Sequence, residues 1–353
     1  MRRMRSQLLT GNPKLTPHEV VAHFGAVQAQ DFLGALWAIG LRMRGGTDAD
    51  VERDVAERKI IRCWPMRGTL HFVAAEDARW MLELLASRSM TRSRGRLERE
   101  FGLDAATLRR ARTLIERALR GGHALTRGEI YAMLERGGIA TGASRGLHIL
   151  YALSHERVIC FGPRRGKQPA LVLLDEWLPE PSRKTREESL AELARRYFTG
   201  HGPATAADLV WWSGLTVKSA SEAISLAAND LERETIDGNP MWSSRTPISA
   251  PRSPRAVHLL PPFDEFMVGY KDRSAMIAPE HVKAVNIGGG MINAVLVING
   301  LVTGRWSRAL NPKSVDFTIS SFRALTASET RAIEREVSRY SAFVGREKRV
   351  AFA

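Results

Sequence analysis

Cysteine is nearly absent from this chain: Cys63 and Cys160 are the only two among 353 residues. Two thiols without C-x-x-C spacing build neither a disulfide framework nor a cysteine zinc site. Both sit in apolar, strand-like runs, so buried free thiols in a reducing compartment are expected. No run of 18 apolar residues occurs, which leaves nothing of the length a membrane-spanning helix needs. Met1 to Arg5 is basic, but the apolar stretch of a secretion signal does not follow it. A cytoplasmic, nucleoid-associated location is expected. His258 and His281 lack partners at metal-ligand spacing, and no Gly-x-x-x-x-Gly-Lys phosphate loop is present. Gly288-Gly289-Gly290 lacks the strand-to-helix context of a dinucleotide loop and reads as a hairpin connection. Neither a metal nor another cofactor is expected.

Lysine is scarce as well. Only nine of the 52 basic side chains are Lys, so 43 Arg carry the excess over 38 acids and a net charge of +14. Arg forks match phosphate oxygens and guanine edges, and excess positive charge speeds encounter with a polyanion. An anionic partner, nucleic acid first, is therefore expected; a GC-rich coding sequence that supplies Arg codons is the other explanation. With 44% apolar and 25% charged residues the chain is globular, and its length suggests two or three domains.

One pattern of elements recurs three times: short amphipathic helices followed by two strands and a turn. It is clearest in the middle. Thr126 and Glu129 have capping-box spacing, Ile130, Met133 and Leu134 repeat at helical intervals, and Gly137-Gly138 stops the helix. A second helix is expected over Ser144 to His155, then a strand Val158 to Phe161, the basic turn Gly162 to Lys167, and a strand Ala170 to Leu174. Helix, turn, helix, strand, basic loop, strand is the winged-helix plan, in which the second helix can enter a major groove while the loop touches phosphates.

A copy at the N-terminus begins at Thr16-Pro17-His18-Glu19, stops its first helix at Gly25, and ends in strands Ile60 to Trp64 and Thr69 to Val73 around Pro65 to Gly68. A third copy begins with a helix Glu187 to Phe198, and Thr205 to Asp208 starts the next; its wing turns at Asp237-Gly238, and Trp211-Trp212 are expected in its core. Between the first two copies, residues 88–120 hold ten Arg against four acids, which suits a solvated face and a phosphate-binding surface equally. Pro247, Pro251, Pro254, Pro261 and Pro262 mark a linker. Strands flanking Asn299-Gly300, a further strand near Val315 to Ile319 and a helix opened by Thr326 and Glu329 then suggest a small antiparallel sheet or barrel. The expected fold is α+β: winged helix with helical extension over 1–120, winged helices over 121–180 and 181–247, and a β-barrel-like domain over 248–353.

One candidate for chemistry is Gln28-Ala29-Gln30, followed by Asp31. In extended backbone, residues two apart share a face, so two carboxamides would aim into one space. Taken alone, the residues favour loop polars with Asp31 capping the next helix. Asp264-Glu265 could orient an arginine or line a site, although turn and ion-pair roles are commoner.

Four separated motifs in order nonetheless resemble the AlkZ-like DNA glycosylases: Val27 to Asp31, Arg62 to His71, Phe161 to Pro169, and Leu259 to Glu265 followed by Gly269 to Arg273. The resemblance spans nearly the whole chain. It implies three tandem winged helices and a β-barrel-like domain forming a C-shaped clamp around duplex DNA. It further implies catalysis by Gln28 and Gln30, which match the Gln-x-Gln branch and not the YcaQ-like Gln-x-Asp branch. Residues of the matching motifs, Arg62, Arg67, His71, Arg164, Arg165, Lys167, Tyr270 and Arg273, would contact DNA. The expected activity is monofunctional hydrolysis of the N-glycosidic bond of cationic alkylated purines, for repair or self-resistance, with double-stranded DNA as partner and neither a membrane nor an obligatory protein partner. The alternative is a winged-helix transcription regulator without catalytic activity.

Overall fold

Helix starts in this protein are set by local chemistry. Thr16, Thr126, Thr205 and Thr326 each accept a hydrogen bond from the backbone three residues on, and Glu19, Glu129, Asp208 and Glu329 reach back to the cap residue's own N–H. These four capping boxes open helices Pro17–Phe24, Arg127–Arg136, Ala206–Ser213 and Ala327–Phe343. Gly25, at φ +77°, ends the first of them as its sequence position requires. The computed structural model describes residues 1–11, 14–178, 184–246, 256–288 and 290–353. The linker prolines Pro247, Pro251 and Pro254, and Gly289 of the glycine triplet, lie outside the described residues.

The chain divides into two compact units, Met1–Val51 with Leu190–Ala353, and Glu52–Ser189. Compactness thus groups the residues differently from the four consecutive stretches read in the sequence. The N-terminal copy contributes helices Pro17–Phe24 and Phe32–Gly40 to one unit and strands Ile60–Met66 and Thr69–Ala74 to the other. The pairing of Arg62 with Phe161 explains the second assignment, because it joins this hairpin to the hairpin Ile159–Arg165/Gln168–Leu173 in one antiparallel sheet.

In the unit Glu52–Ser189, helices Ser87–Phe101, Ala105–Leu119, Arg127–Arg136 and Arg145–His155 enclose a core that includes Leu97, Ile115, Leu134, Ile149, Leu153 and Ile159. The Arg-rich segment forms the first two of these helices, with Arg96–Glu100 and Arg112–Glu116 pairs along their exposed faces. Cys63 and Cys160 are buried free thiols, and burial pushes the Cys63 thiol up to about 12. Both hairpins keep strand geometry further toward their tips than expected. Ile60–Met66 turns only at Arg67-Gly68, and Ile159–Arg165 only at Gly166-Lys167, because cross-strand pairing continues past the prolines.

The other unit is built on a five-stranded sheet in the order Glu347–Phe352, Ser314–Ser321, Leu301–Leu310, Val295–Ile298, Val257–Leu260. Asn299-Gly300 makes the expected turn between two of these strands. The sheet is open, so the barrel expected from the sequence is corrected: among the described residues no closed barrel forms. Nor is it wholly antiparallel. Glu347–Phe352 runs parallel to Ser314–Ser321, the helix Ala327–Phe343 supplying the crossover that parallel strands require. That helix packs on Val257–Leu260 and Phe32–Gly40, and its Tyr340 and Phe343 join Trp37, Trp306 and Phe317 in a cluster with ring centroids 4.8 to 6.4 Å apart.

A Cβ on Gly40 would collide with the Phe343 ring, which this cluster holds in place. Gly40→Ala is expected to destabilise the protein by about 1–3 kcal/mol despite alanine's better helix propensity, read as a lower urea midpoint with an unchanged slope.

Candidate active site

Immediately after Gly25 the chain extends and enters the interior. Ala26, Val27 and Ala29 are buried, Gln28 is 6% exposed and Gln30 is exposed. The backbone N–H of Gln28 donates to Glu265 Oε1 at 2.8 Å, and the backbone N–H of Gln30 donates to Gln28 Oε1 at 3.1 Å. A backbone N–H can only donate, so the Gln28 atom facing it is the oxygen. The two glutamines are thereby coupled: the carboxamide of one orders the backbone of the other. Asp31 takes the N-cap position of helix Phe32–Gly40, yet its carboxylate makes no capping hydrogen bond.

Glu265 is 1% exposed and has polar partners on both oxygens. Its Oε2 faces Trp212 Nε1 at 3.0 Å and His201 Nε2 at 3.2 Å, opposite the oxygen that holds Gln28. The His201 ring stacks on Tyr197 at 4.6 Å between centroids, with Phe24 edge-on at 5.5 Å. Asp264 anchors the same turn. It receives both Nη atoms of Arg42 at 2.8 and 2.9 Å, and Arg42 also donates to the carbonyls of Gln7 and Ala38. Trp37 and Trp306 donate to the carbonyls of Leu259 and Leu260, fixing the strand that leads into Asp264-Glu265. The acidic pair therefore orients an arginine and a glutamine backbone.

The residues expected to meet DNA fall into two groups. Within Glu52–Ser189, one antiparallel sheet carries six of them. Arg165 and Lys167 are exposed at a hairpin end, Arg165 paired with Glu129 at 2.8 Å. Arg164 is half-buried and paired with Glu52. Arg67, at φ +55° in its two-residue turn, points Nη2 at His71 Nε2 over 3.4 Å, and His71 Nδ1 lies 2.9 Å from the Thr69 carbonyl. Together these contacts fit a neutral imidazole that donates from Nδ1 and accepts at Nε2. His71 is fully buried, and Arg62 is 7% exposed with its guanidinium 5.0 Å from the Phe161 ring centre.

In the other unit Tyr270 is fully buried, donates to the His201 carbonyl at 2.8 Å, and has its phenol pushed up by burial. Arg273 is half-buried, donates to Met267 O at 2.6 Å and lies 5.7 Å from the Trp211 ring. Packing leaves little or no side-chain surface on His71, Arg62 and Tyr270 in the protein without DNA. Of the tryptophan pair, Trp212 is core while Trp211 is 44% exposed, because adjacent helical residues point about 100° apart.

Sequence reasoning missed Arg42, His201 and the link from Glu265 to Gln28. Among the described residues no cluster of His, Cys, Asp or Glu could hold a metal ion, and no helix is long and apolar enough to cross a membrane.

Residues 21–343 match the family described as DNA glycosylase AlkZ-like. The chain is 26% identical over 361 residues to an interstrand DNA cross-link repair glycosylase of Streptomyces sahachiroi, covering 95% of this chain and 93% of the relative. Its fold is similar to the solved structure of Streptomyces sahachiroi DNA glycosylase AlkZ, with TM-score 0.76, 23% identity, and coverage of 99% of this chain and 97% of that one. A match over nine-tenths of the sequence sets aside the non-catalytic regulator: this chain belongs to the AlkZ-like family of DNA glycosylases.

Proposed function

We propose that this DNA glycosylase hydrolyses the N-glycosidic bond of cationic alkylated purines in duplex DNA, N7-alkylguanine first, and leaves an abasic site. The observation that carries the reading is the coupled glutamine pair, the Gln28 carboxamide oxygen accepting the backbone N–H of Gln30 just beyond helix Pro17–Phe24. Carboxamides are poor bases, which would count against catalysis on a neutral nucleobase. An N7-alkylated guanine is already positively charged and departs without acid assistance. What remains is to hold a water near C1′ and to face the oxocarbenium charge with oxygen dipoles. Gln30 is exposed for that task, and Gln28 Oε1 keeps a second lone pair beyond the one that Gln30 N–H engages. The name of the Streptomyces sahachiroi relative supports interstrand cross-links as further substrates.

The helix pairs and two-stranded ribbons, read as three winged helices, would supply the DNA contacts. Arg165 and Lys167 are assigned to phosphates, with Arg164, Arg67 and Arg273 beside them. Neutralising two fewer phosphates in an Arg165→Ala, Lys167→Ala double variant should lower the slope of log affinity against log salt by about 2. Base release should fall only through weaker binding.

The proposed chemistry is tested with two duplexes, one carrying N7-methylguanine and one carrying uracil. Release of the methylated base, with strand breakage only after alkali, is expected, and uracil should stay in place. Equal release of uracil, or strand cleavage without alkali, would contradict the proposal.

A further inference from the structure

We infer that Glu265 is a positioning residue for catalysis, an inference that rests on the assignment of Gln28 and Gln30 to the reaction. The carboxylate bridges two directions at once. Oε1 accepts the Gln28 N–H, and Oε2 accepts the Trp212 indole N–H and faces His201. Trp212 and His201 are fully buried, so the Oε2 side is held by packing. The Oε1 side then fixes the Gln28 peptide, which fixes where its side chain leaves the backbone and hence where Oε1 of Gln28 meets Gln30.

Neither conservative replacement can do this. A glutamine at 265 brings one oxygen and one NH2. With the oxygen toward Gln28, the NH2 opposes the Trp212 N–H; with the amide reversed, it opposes the Gln28 N–H. Either orientation sets donor against donor in a buried site. An aspartate keeps the charge but is one methylene shorter, so it can serve Trp212 and His201 only by withdrawing from Gln28. Glu265 touches neither the lesion nor the water; it acts through the glutamines.

The test uses the full-length protein and a duplex containing N7-methylguanine. Single-turnover excision at saturating enzyme, duplex Kd, melting temperature and hydrogen exchange at the Gln28 amide are measured for Glu265→Gln, Glu265→Asp and Gln28→Ala. Val337→Ala, a buried position outside this network, is the destabilised control. Both Glu265 variants should excise roughly ten- to a hundredfold more slowly, with Kd unchanged and faster exchange at Gln28. Val337→Ala should lose melting temperature and keep its rate; an equal loss of rate in this control would overturn the inference by making the effect one of stability alone. Having the aspartate variant keeps the test decisive if the glutamine variant does not fold. A wild-type rate in either Glu265 variant while Gln28→Ala is impaired would overturn the positioning role and leave the glutamine assignment standing. A wild-type rate in Gln28→Ala would remove the assignment on which the inference rests.

Discussion

Replacing Arg42 with methionine is expected to destabilise the protein by about 3–5 kcal/mol, a large share of the roughly 5–15 kcal/mol that holds a typical domain folded. The guanidinium is 1% exposed and meets the Asp264 carboxylate, itself 1% exposed, through two parallel hydrogen bonds. Removing Arg42 leaves a charge in the interior, where the Phe266 N–H still donates to Asp264 Oδ1 at 2.9 Å. It also strands the carbonyls of Gln7 and Ala38 that Arg42 now satisfies. The loss arises mostly from this uncompensated burial and not from the worth of the pair, so an Arg42→Met, Asp264→Leu double variant should recover much of it. Chemical denaturation of the two variants gives the contrast. Because Asp264 adjoins Glu265, the single variant should also excise more slowly at temperatures where it is folded. The double variant tests whether the ion pair or only a well-packed turn is needed to set Glu265.

The features that sequence made legible are those whose causes are local. Each capping box is a four-residue event, and all four threonines cap as their spacing requires. The Asn299-Gly300 turn is equally local. The strand Glu347–Phe352 was missed for a physical reason: it lies at the sheet edge and is almost wholly exposed, so it carries no apolar alternation to read. Its parallel pairing depends on a helix that returns the chain to the sheet.

The site divides along the same line. The dipeptide spacing of Gln28 and Gln30 was visible, and so was Asp264-Glu265, but their connection spans 237 residues and leaves no periodic trace. Arg42 and Asp264, 222 residues apart, are equally silent. The burial of Tyr270 and His71 was equally illegible, because it is set by residues packed around them from distant parts of the chain.

The second large effect concerns the glutamines themselves. If their oxygens hold the attacking water and face the positive sugar, removing either one withdraws preorganised dipoles from the transition state while the charged base remains as good a leaving group as before. Losses of about 10²–10³ in rate are typical when one such group is removed. Gln28→Ala should also free the Gln30 backbone, so it should be at least as impaired as Gln30→Ala, and the double variant should fall short of the product of the two because they act as a unit. Ground-state affinity for the duplex should change little.

The most direct measurement is single-turnover release of N7-methylguanine from duplex DNA by wild type, Gln28→Ala and Gln30→Ala, each at saturating enzyme and each confirmed folded by circular dichroism. A loss of about a hundredfold or more in both variants is the expected result. Release by both variants at the wild-type rate would contradict the account.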